Sequence, residues 1–468
     1  MQDSVRWRTV ILLLSTLCAG TVLADEFDEL FSDPVFADIE VEPAALERAP
    51  GPLRFGQQLS LRTVIHYNNA LSTASSPYHG LTSLVARYRP SFEYQPSEAF
   101  SLSGTLNVAT DAVFALRKNA NWSDAVVSAD QYQAGIRHLV GQYRGPNWQL
   151  NSGIQTQSLG LADLLSVVNV LYAADLTVPG LADLDETRLP AWTTSGSGPV
   201  AGVRVKLGAV HRHQLTRWPT QGSDFDTGLV SKLDRVGLAL AAQPLALANM
   251  GWFGSVSGVV SAWDWQLTAL SQLAHDPVIE IGPEQPGLSP GYIPIGIYYP
   301  RVGILAAASS YVIGNLVLKG ELAASRGLQA QSNREGQPAV RVNYRQVQGV
   351  LGFDLNAGGW GRLVGEVQSG KVLDYANLQL LQVEADTLQW GLAYSKHAYQ
   401  DLLTLGAQML GFGRSRDAGR IQALSIDYQL SDHWRARVRL LDYVSGDAPL
   451  LQGAGERDRL VLGLHWQF

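Results

Sequence analysis

The chain has 468 residues, 46% hydrophobic and only 16% charged, with a formal net charge of −7. That acidic balance excludes nucleic acid as a partner. Cys18 is the single cysteine and falls in an export segment, so its removal excludes disulfides, zinc clusters and thiol chemistry from the mature protein.

Arg6 and Arg8 precede an apolar run from Val10 to Leu17, and Val22-Leu23-Ala24 forms a cleavage site before Asp25. Residues 1–24 therefore read as a signal peptide for export. The run is too short for a spanning helix, which needs about 20 residues. Cleavage removes two arginines and one aspartate, which takes the net charge from −7 to −8.

Residues 25–52 form an acidic leader. Asp25, Glu26, Asp28, Glu29, Asp33, Asp38, Glu40, Glu42 and Glu47 are opposed only by Arg48. Two readings stand: a disordered periplasmic extension, or a peptide that docks on a basic surface and plugs a lumen.

From residue 53 to 468 the apolar residues are dispersed in period-two alternation, with no run of ~18 that would span a membrane as a helix. The first strand, about 53–67, sets Leu53, Phe55, Leu59, Leu61, Thr63 and Ile65 against Arg54, Gln58, Arg62 and His66. The second ends near Tyr94 and alternates Leu84, Ala86, Tyr88 and Phe92 with Arg87, Arg89 and Glu93; a third starts near Phe100. Strands over 131–143 and 148–157 follow. Residues 158–199 are too long for a turn and too apolar for a solvated loop, and read as a loop folded into a barrel mouth with a short helical element. Residues 200–216 alternate again, 217–250 are ambiguous, and eleven further spans run from 251–261 to 457–468.

Short turns alternate with longer loops along the chain, which is the pattern of a transmembrane antiparallel β-barrel. Seventeen crossings are legible. A barrel with both termini on one side needs an even number, and the counts from the two ends collide between residues 157 and 250. The expectation is an all-β barrel of about 16–18 strands. In the last strand Leu460, Leu462, Leu464, Trp466 and Phe468 share one face. A closing strand ending on Phe resembles the membrane-insertion signal of Gram-negative outer-membrane barrels. The resemblance implies that Leu464, Trp466 and Phe468 are read by a barrel-assembly machinery, among the lipids of the outer membrane.

A basic ladder stands out among the inner positions. Arg435, Arg437 and Arg439 share one strand face, the next strand adds Arg459, and the first two add Arg54, Arg62, Arg87 and Arg89. Arginine on the lipid side costs about 2–4 kcal/mol near the midplane, so these side chains belong in the lumen. First and last strands are neighbours in a closed barrel, which gathers the eight into one wall. Such a wall either binds anionic groups or braces itself through carboxylates, of which Glu93, Glu321, Glu366 and Asp427 fall on inner faces. His211 and His213 share a spacing that chelates a metal, but no third ligand lies near in sequence. Neither His275-Asp276 nor His397 with Asp401 sits beside a nucleophile in a motif, so no enzymatic activity, cofactor or metal is expected. Trp360, Trp390, Tyr428, Trp434 and Trp466 read as an interfacial girdle.

One stretch is similar to a specific family. Trp148-Gln149-Leu150-Asn151-Ser152-Gly153-Ile154-Gln155 runs into Leu159-Gly160-Leu161-Ala162-Asp163, then Val167-Val168-Asn169, Asp175-Leu176 and Asp185-Glu186-Thr187-Arg188-Leu189-Pro190. Tyr299-Pro300-Arg301-Val302-Gly303 and Lys319-Gly320-Glu321-Leu322-Ala323 form a second match. Together they resemble an uncharacterised Gram-negative outer-membrane barrel family whose members are encoded beside resistance–nodulation–division permeases. Ile154, Leu159 and Val170 depart from the family's Arg, Trp and Pro. The resemblance implies a channel or receptor that moves hydrophobic or amphipathic molecules, with periplasmic and inner-membrane transport components as partners; the basic wall extends that expectation to anionic molecules. The alternatives are a general diffusion porin with anion preference and a structural or assembly barrel.

Overall fold

The computed structural model describes residues 51–67, 76–181, 187–282, 293–332, 340–378, 380, 383–414, 418–448 and 451–468. The signal peptide, the acidic leader up to residue 50 and the acidic run Asp183-Leu184-Asp185-Glu186 lie outside the described residues.

The first half of the wall is β1 (Leu53–His66), β2 (Gly80–Tyr94), β3 (Phe100–Asp111), β4 (Tyr132–Arg144), β5 (Gln149–Gln155), β6 (Ala191–Val200), β7 (Val203–Val210), β8 (Gly251–Val260) and β9 (Trp263–Leu273). A separate two-stranded hairpin follows, β10 (Val278–Gly282) and β11 (Ile293–Tyr298). The second half is β12 (Arg301–Ile313), β13 (Leu316–Ser332), β14 (Val340–Asn356), β15 (Arg362–Leu373), β16 (Asp386–Ala398), β17 (Leu403–Phe412), β18 (Arg420–Gln429), β19 (Trp434–Val444) and β20 (Arg459–Gln467).

Apart from the hairpin, each strand pairs antiparallel with the next, β9 pairs with β12, and β20 returns to β1, which closes an 18-stranded barrel. At the seam Leu61 faces Leu464 and Arg62 faces Gly463, and Gln57 and Phe468 exchange backbone hydrogen bonds of 2.9 and 3.0 Å. Closure leaves no strand edge, so every crossing segment satisfies its backbone within the ring.

The alternation is inside-out. On β14 Leu351 is 76% exposed while its neighbour Val350 is 2% exposed; on β12 Leu305 stands out and Ala306 is buried. Large apolar side chains cover the outside of the barrel along its whole circumference, which is favourable only where the surroundings are lipid. Hairpins at one end are tight, with left-handed backbone at Ala201, Ser261 and Gly314. Long loops stand at the other end and hold the short helices Val113–Leu116, Asp124–Asp130, Leu229–Asp234 and Tyr375–Leu378. By the usual orientation the tight turns are periplasmic.

The crossing missing from the sequence count is β6. It falls inside the expected mouth loop, which therefore ends at residue 190, and its turn is Ala201-Gly202. Outward along β6 lie Trp192, Thr194, Gly196, Gly198 and Val200, so two of five lipid-side positions carry no side chain and the alternation is invisible. The ambiguous residues 217–250 make no crossing, and residues 156–181 contain no helix; the short helices stand in other loops.

The seam gives the first test. Leu61 and Leu464 are register partners on the lipid face, and opposed strand positions meet disulfide geometry. The double variant Leu61→Cys, Leu464→Cys, in a chain whose single native cysteine is Cys18, is expected to oxidise within the folded barrel and alter its electrophoretic mobility. Persistence of both thiols under oxidation would show an open seam.

Candidate functional site

The segment from Gln157 to Leu181 lies inside the barrel, and two wall carboxylates hold it. Glu321 on β13 and Glu366 on β15 face inward and are 5% and 3% exposed. Glu321 Oε1 accepts the backbone N–H groups of Leu161 (2.6 Å) and Ala162 (2.8 Å). Its Oε2 accepts from the Ser166 hydroxyl (2.8 Å) and from the N–H groups of Val167 (2.9 Å) and Val168 (3.3 Å). Glu366 accepts from the N–H groups of Asp163 (2.7 Å), Leu164 (3.0 Å) and Leu165 (2.7 Å). A carboxylate ringed by N–H donors is the reciprocal of an anion-binding nest, and charge-assisted bonds of this kind are the strong ones. Gly160 makes the approach possible, since a Cβ there would fall 2.5 Å from Glu321 Oε1 and 2.2 Å from Ser166 Oγ.

Side chains reinforce the latch. Lys319 pairs with Asp163 (2.6 Å) and reaches Asp354 (3.8 Å), and Arg362 binds Asp354 while standing 3.8 Å from Asp163. Asn169 Oδ1 folds the segment on itself by accepting from Leu159 N (2.5 Å) and Gly160 N (2.8 Å). Leu159, Ala162, Val167, Val168, Leu171 and Tyr172 then pack on inner wall residues Ala191, Val210, Phe253, Leu270, Ala306, Ala323 and Val350.

Further along, the same segment reaches another arc of the ring. Val178 and Leu181 pack against a cluster containing Val64, Ile421, Leu441 and Tyr443. Tyr443 donates to the Pro179 carbonyl (2.6 Å), and Arg439 reaches the Leu181 carbonyl at 3.5 Å. One stretch of chain thus touches β6–β9 on one side of the ring and β18–β1 on the other, and so crosses the lumen.

Beside its end lies the basic wall. Arg62, Arg87, Arg89, Arg435, Arg437 and Arg439 line one concavity with Gln58, Ser60, Val85, Val461, Gly463, His465 and Leu181, and no carboxylate is among the lining residues. The strand register explains the shape. Arg437, Gly463, Arg62 and Val85 form one cross-strand row, and Arg435, His465, Ser60 and Arg87 the next. Gly463 and Ser60 between the arginine columns of β19 and of β1–β2 leave room for the hollow, and His465 stands beside them. Arg437 is partnered by Asp427 (2.6 Å), Arg435 by Gln429 (3.0 Å) and Arg89 by Asn107 (3.2 Å), which fixes the guanidinium groups along the wall.

Two of the eight sequence-selected arginines stand elsewhere. Arg54 pairs with Glu93 (3.5 Å) nearer the periplasmic end. Arg459 is buried and bonds Asp224 (2.5 Å), which also lies 3.5 Å from His66. Asp224 sits in the region that carried no readable pattern, next to Phe225, which is buried between Arg457, Arg459 and Tyr443. His211 and His213 are engaged separately: His211 hydrogen-bonds with Thr194 Oγ1 (2.7 Å), and His213 donates to the Ala274 carbonyl (2.8 Å). Burial holds the His213 imidazole below its ordinary pKa. His275 hydrogen-bonds with the Gln214 carbonyl (2.9 Å) and with Gln272 (3.1 Å). Leu464 and Trp466 lie on the outward face of β20 and Phe468 follows its end; Trp466 stacks on Trp434 with ring centroids 5.8 Å apart.

No family model and no curated protein matches the chain. Among solved structures it is similar to OccK8 (OprE) of Pseudomonas aeruginosa at 9% identity, covering 89% of this chain and 98% of that one, with a TM-score of 0.48. It is also similar to OccK2 (OpdF) of the same organism, solved with glucuronate, at 12% identity, 89% and 96% coverage and a TM-score of 0.47. An anion-selective porin from Comamonas acidovorans shares 13% identity over 89% and 98% of the chains, with a TM-score of 0.39. The barrel described above stands on its own strand pairing.

The latch gives the second test. Glu321→Gln with Glu366→Gln removes both charges and sets amide donors among the segment's N–H groups, at a cost of ~1–3 kcal/mol for each group left unsatisfied. Single-channel conductance in planar bilayers is expected to rise as the segment leaves the lumen. An unchanged conductance would show that the apolar packing holds it alone.

Proposed function

We propose that this protein is a channel of the Gram-negative outer membrane for small anionic molecules, amphipathic ones included. The observation that carries the reading is the six-arginine hollow in the wall of a lumen narrowed by its own chain. Fixed cations in a confined, low-dielectric cleft focus field and concentrate anions. Arg439, Arg437 and Arg435 alternate along β19, so their side chains leave the wall about 7 Å apart, a series of weak sites along which a carboxylate or phosphate steps. The crossing segment favours a restricted pathway over a wide pore, since it occupies space that a general porin leaves to water. Its apolar residues also cover the apolar inner wall, which leaves the charged wall to receive the cargo.

The outward Leu464, Trp466 and Phe468 support recognition by a barrel-assembly machinery, and the family resemblance adds periplasmic and inner-membrane transport components on the inner side.

Reversal potentials in a salt gradient across planar bilayers test the reading. The native protein is expected to prefer anions, and Arg435→Gln with Arg89→Gln to lose most of that preference without loss of the folded barrel. Cation preference in the native protein, or a preference unmoved by the double variant, would overturn it.

A further inference from the structure

The outward faces of β1, β2, β8 and β9 carry no charged residue, and β18–β19 presents Arg420 and Asp442, of opposite sign. The sector β12–β15 differs. Arg301, Arg326, Arg345 and Lys371 all point outward and are exposed. They share the face of Leu305, Leu322, Leu351 and Val367, which form the lipid-facing belt below them.

The register draws them together. Arg326 faces Gly303 on β12, and its side chain lies over that glycine, where a Cβ would meet Arg326 Nε at 3.2 Å. The β13–β14 pairing slips between Ser325 and Leu328, a bulge that sets Arg326 and Gly327 opposite Arg345. Gly327 has φ +78°, and a Cβ there would stand 2.5 Å from the Arg301 carbonyl oxygen, so only glycine builds this junction. Lys371 is the register partner of Val347, two positions from Arg345.

Height places the group at a boundary. Arg326 lies ten positions after Leu316 and Lys371 nine after Arg362, the first residues of their strands beyond the tight turns. At ~3.3 Å per residue and ~40° of tilt, that is ~25 Å from the periplasmic turns, the full height of the apolar band. The four side chains therefore meet the interface on the long-loop side, where lipid headgroups lie. Arg345 pairs with Asp374 at 3.1 Å with both side chains more than 60% exposed, and Arg301 donates to the Ala248 and Met250 carbonyls. Asp386 is the register neighbour of Lys371. Among the described residues neither Arg326 nor Lys371 has an ion-pair partner. Four cations against two carboxylates leave a net positive surface at the level of the headgroups.

We infer that the outward face of β12–β15 binds a phosphorylated headgroup of an outer-leaflet lipid, with Arg326 and Lys371 as its principal contacts. Guanidinium and ammonium on neighbouring strands suit a phosphate with several acceptor oxygens, while the acyl chains lie along the leucine belt beneath. The inference rests on the outer-membrane placement proposed above.

Native mass spectrometry of the full protein in neutral detergent tests it, with diphosphoryl lipid A and its dephosphorylated form as probes and inorganic phosphate as competitor. The phosphorylated lipid is expected to be retained, and to bind about tenfold or more weakly to Arg326→Gln with Lys371→Gln. Arg345→Gln, which leaves both principal contacts in place, is expected to lose less. Equal retention of the dephosphorylated lipid, no loss in the double variant, or full displacement by millimolar phosphate would each overturn the inference. Anion selectivity measured on the same double variant separates the two readings, because the lumen arginines are untouched: selectivity intact with no lipid bound defeats the lipid site alone.

Discussion

Everything inside this barrel depends on β1 pairing with β20. Arg62, Arg87 and Arg89 come from one end of the chain and Arg435, Arg437 and Arg439 from the other, and only closure makes them one wall. The same seam fixes their row-by-row register, so that Gly463 in one row, and His465 with Ser60 in the next, separate the two arginine columns. Closure in lipid is enforced by the backbone itself, because an unpaired edge has no water to turn to. The site is thus a by-product of satisfying hydrogen bonds that carry no information about ligands.

Filling the lumen follows a different logic. A buried carboxylate without a partner is costly, yet Glu321 and Glu366 sit deep in the wall because the peptide they hold supplies eight donors from one short stretch. Each side relieves the other: the segment has no secondary structure to absorb its N–H groups, and the carboxylates are buried away from solvent. The apolar contacts with Val210, Phe253 and Val350 then fix which way the segment lies. At the far end Tyr443 and Arg439 take its carbonyl oxygens. Wall and insert therefore form one body, and the arginine hollow has Leu181 as part of its lining.

Much of this was legible in the residues. Strict alternation exposed β1, β19 and β20, and the inward turn of their arginines followed from the cost of charge in lipid. β6 was not legible, because Gly196 and Gly198 erase the outward pattern that marks a crossing. Glu321 and Glu366 were readable as inward acids, but their donors are backbone groups, which leave no trace in a sequence. The family resemblance ran through Gly160, Asp163, Asn169 and Glu321, and all four take part in the latch. Arg459 was misplaced because its partner Asp224 lies in a stretch without periodicity, so nothing announced that a loop would claim it.

The order of the chain has a consequence for how this molecule forms. Residues 161–168 emerge early, whereas the carboxylates that secure them lie some 150 to 200 positions later, at 321 and 366. Contacts so distant along the polymer are entropically dear and slow to find. The insert must stay unsecured until more than half of the wall has been laid down, and it settles only as the cylinder completes around it. The interior is thus secured together with the later half of the wall, not before it.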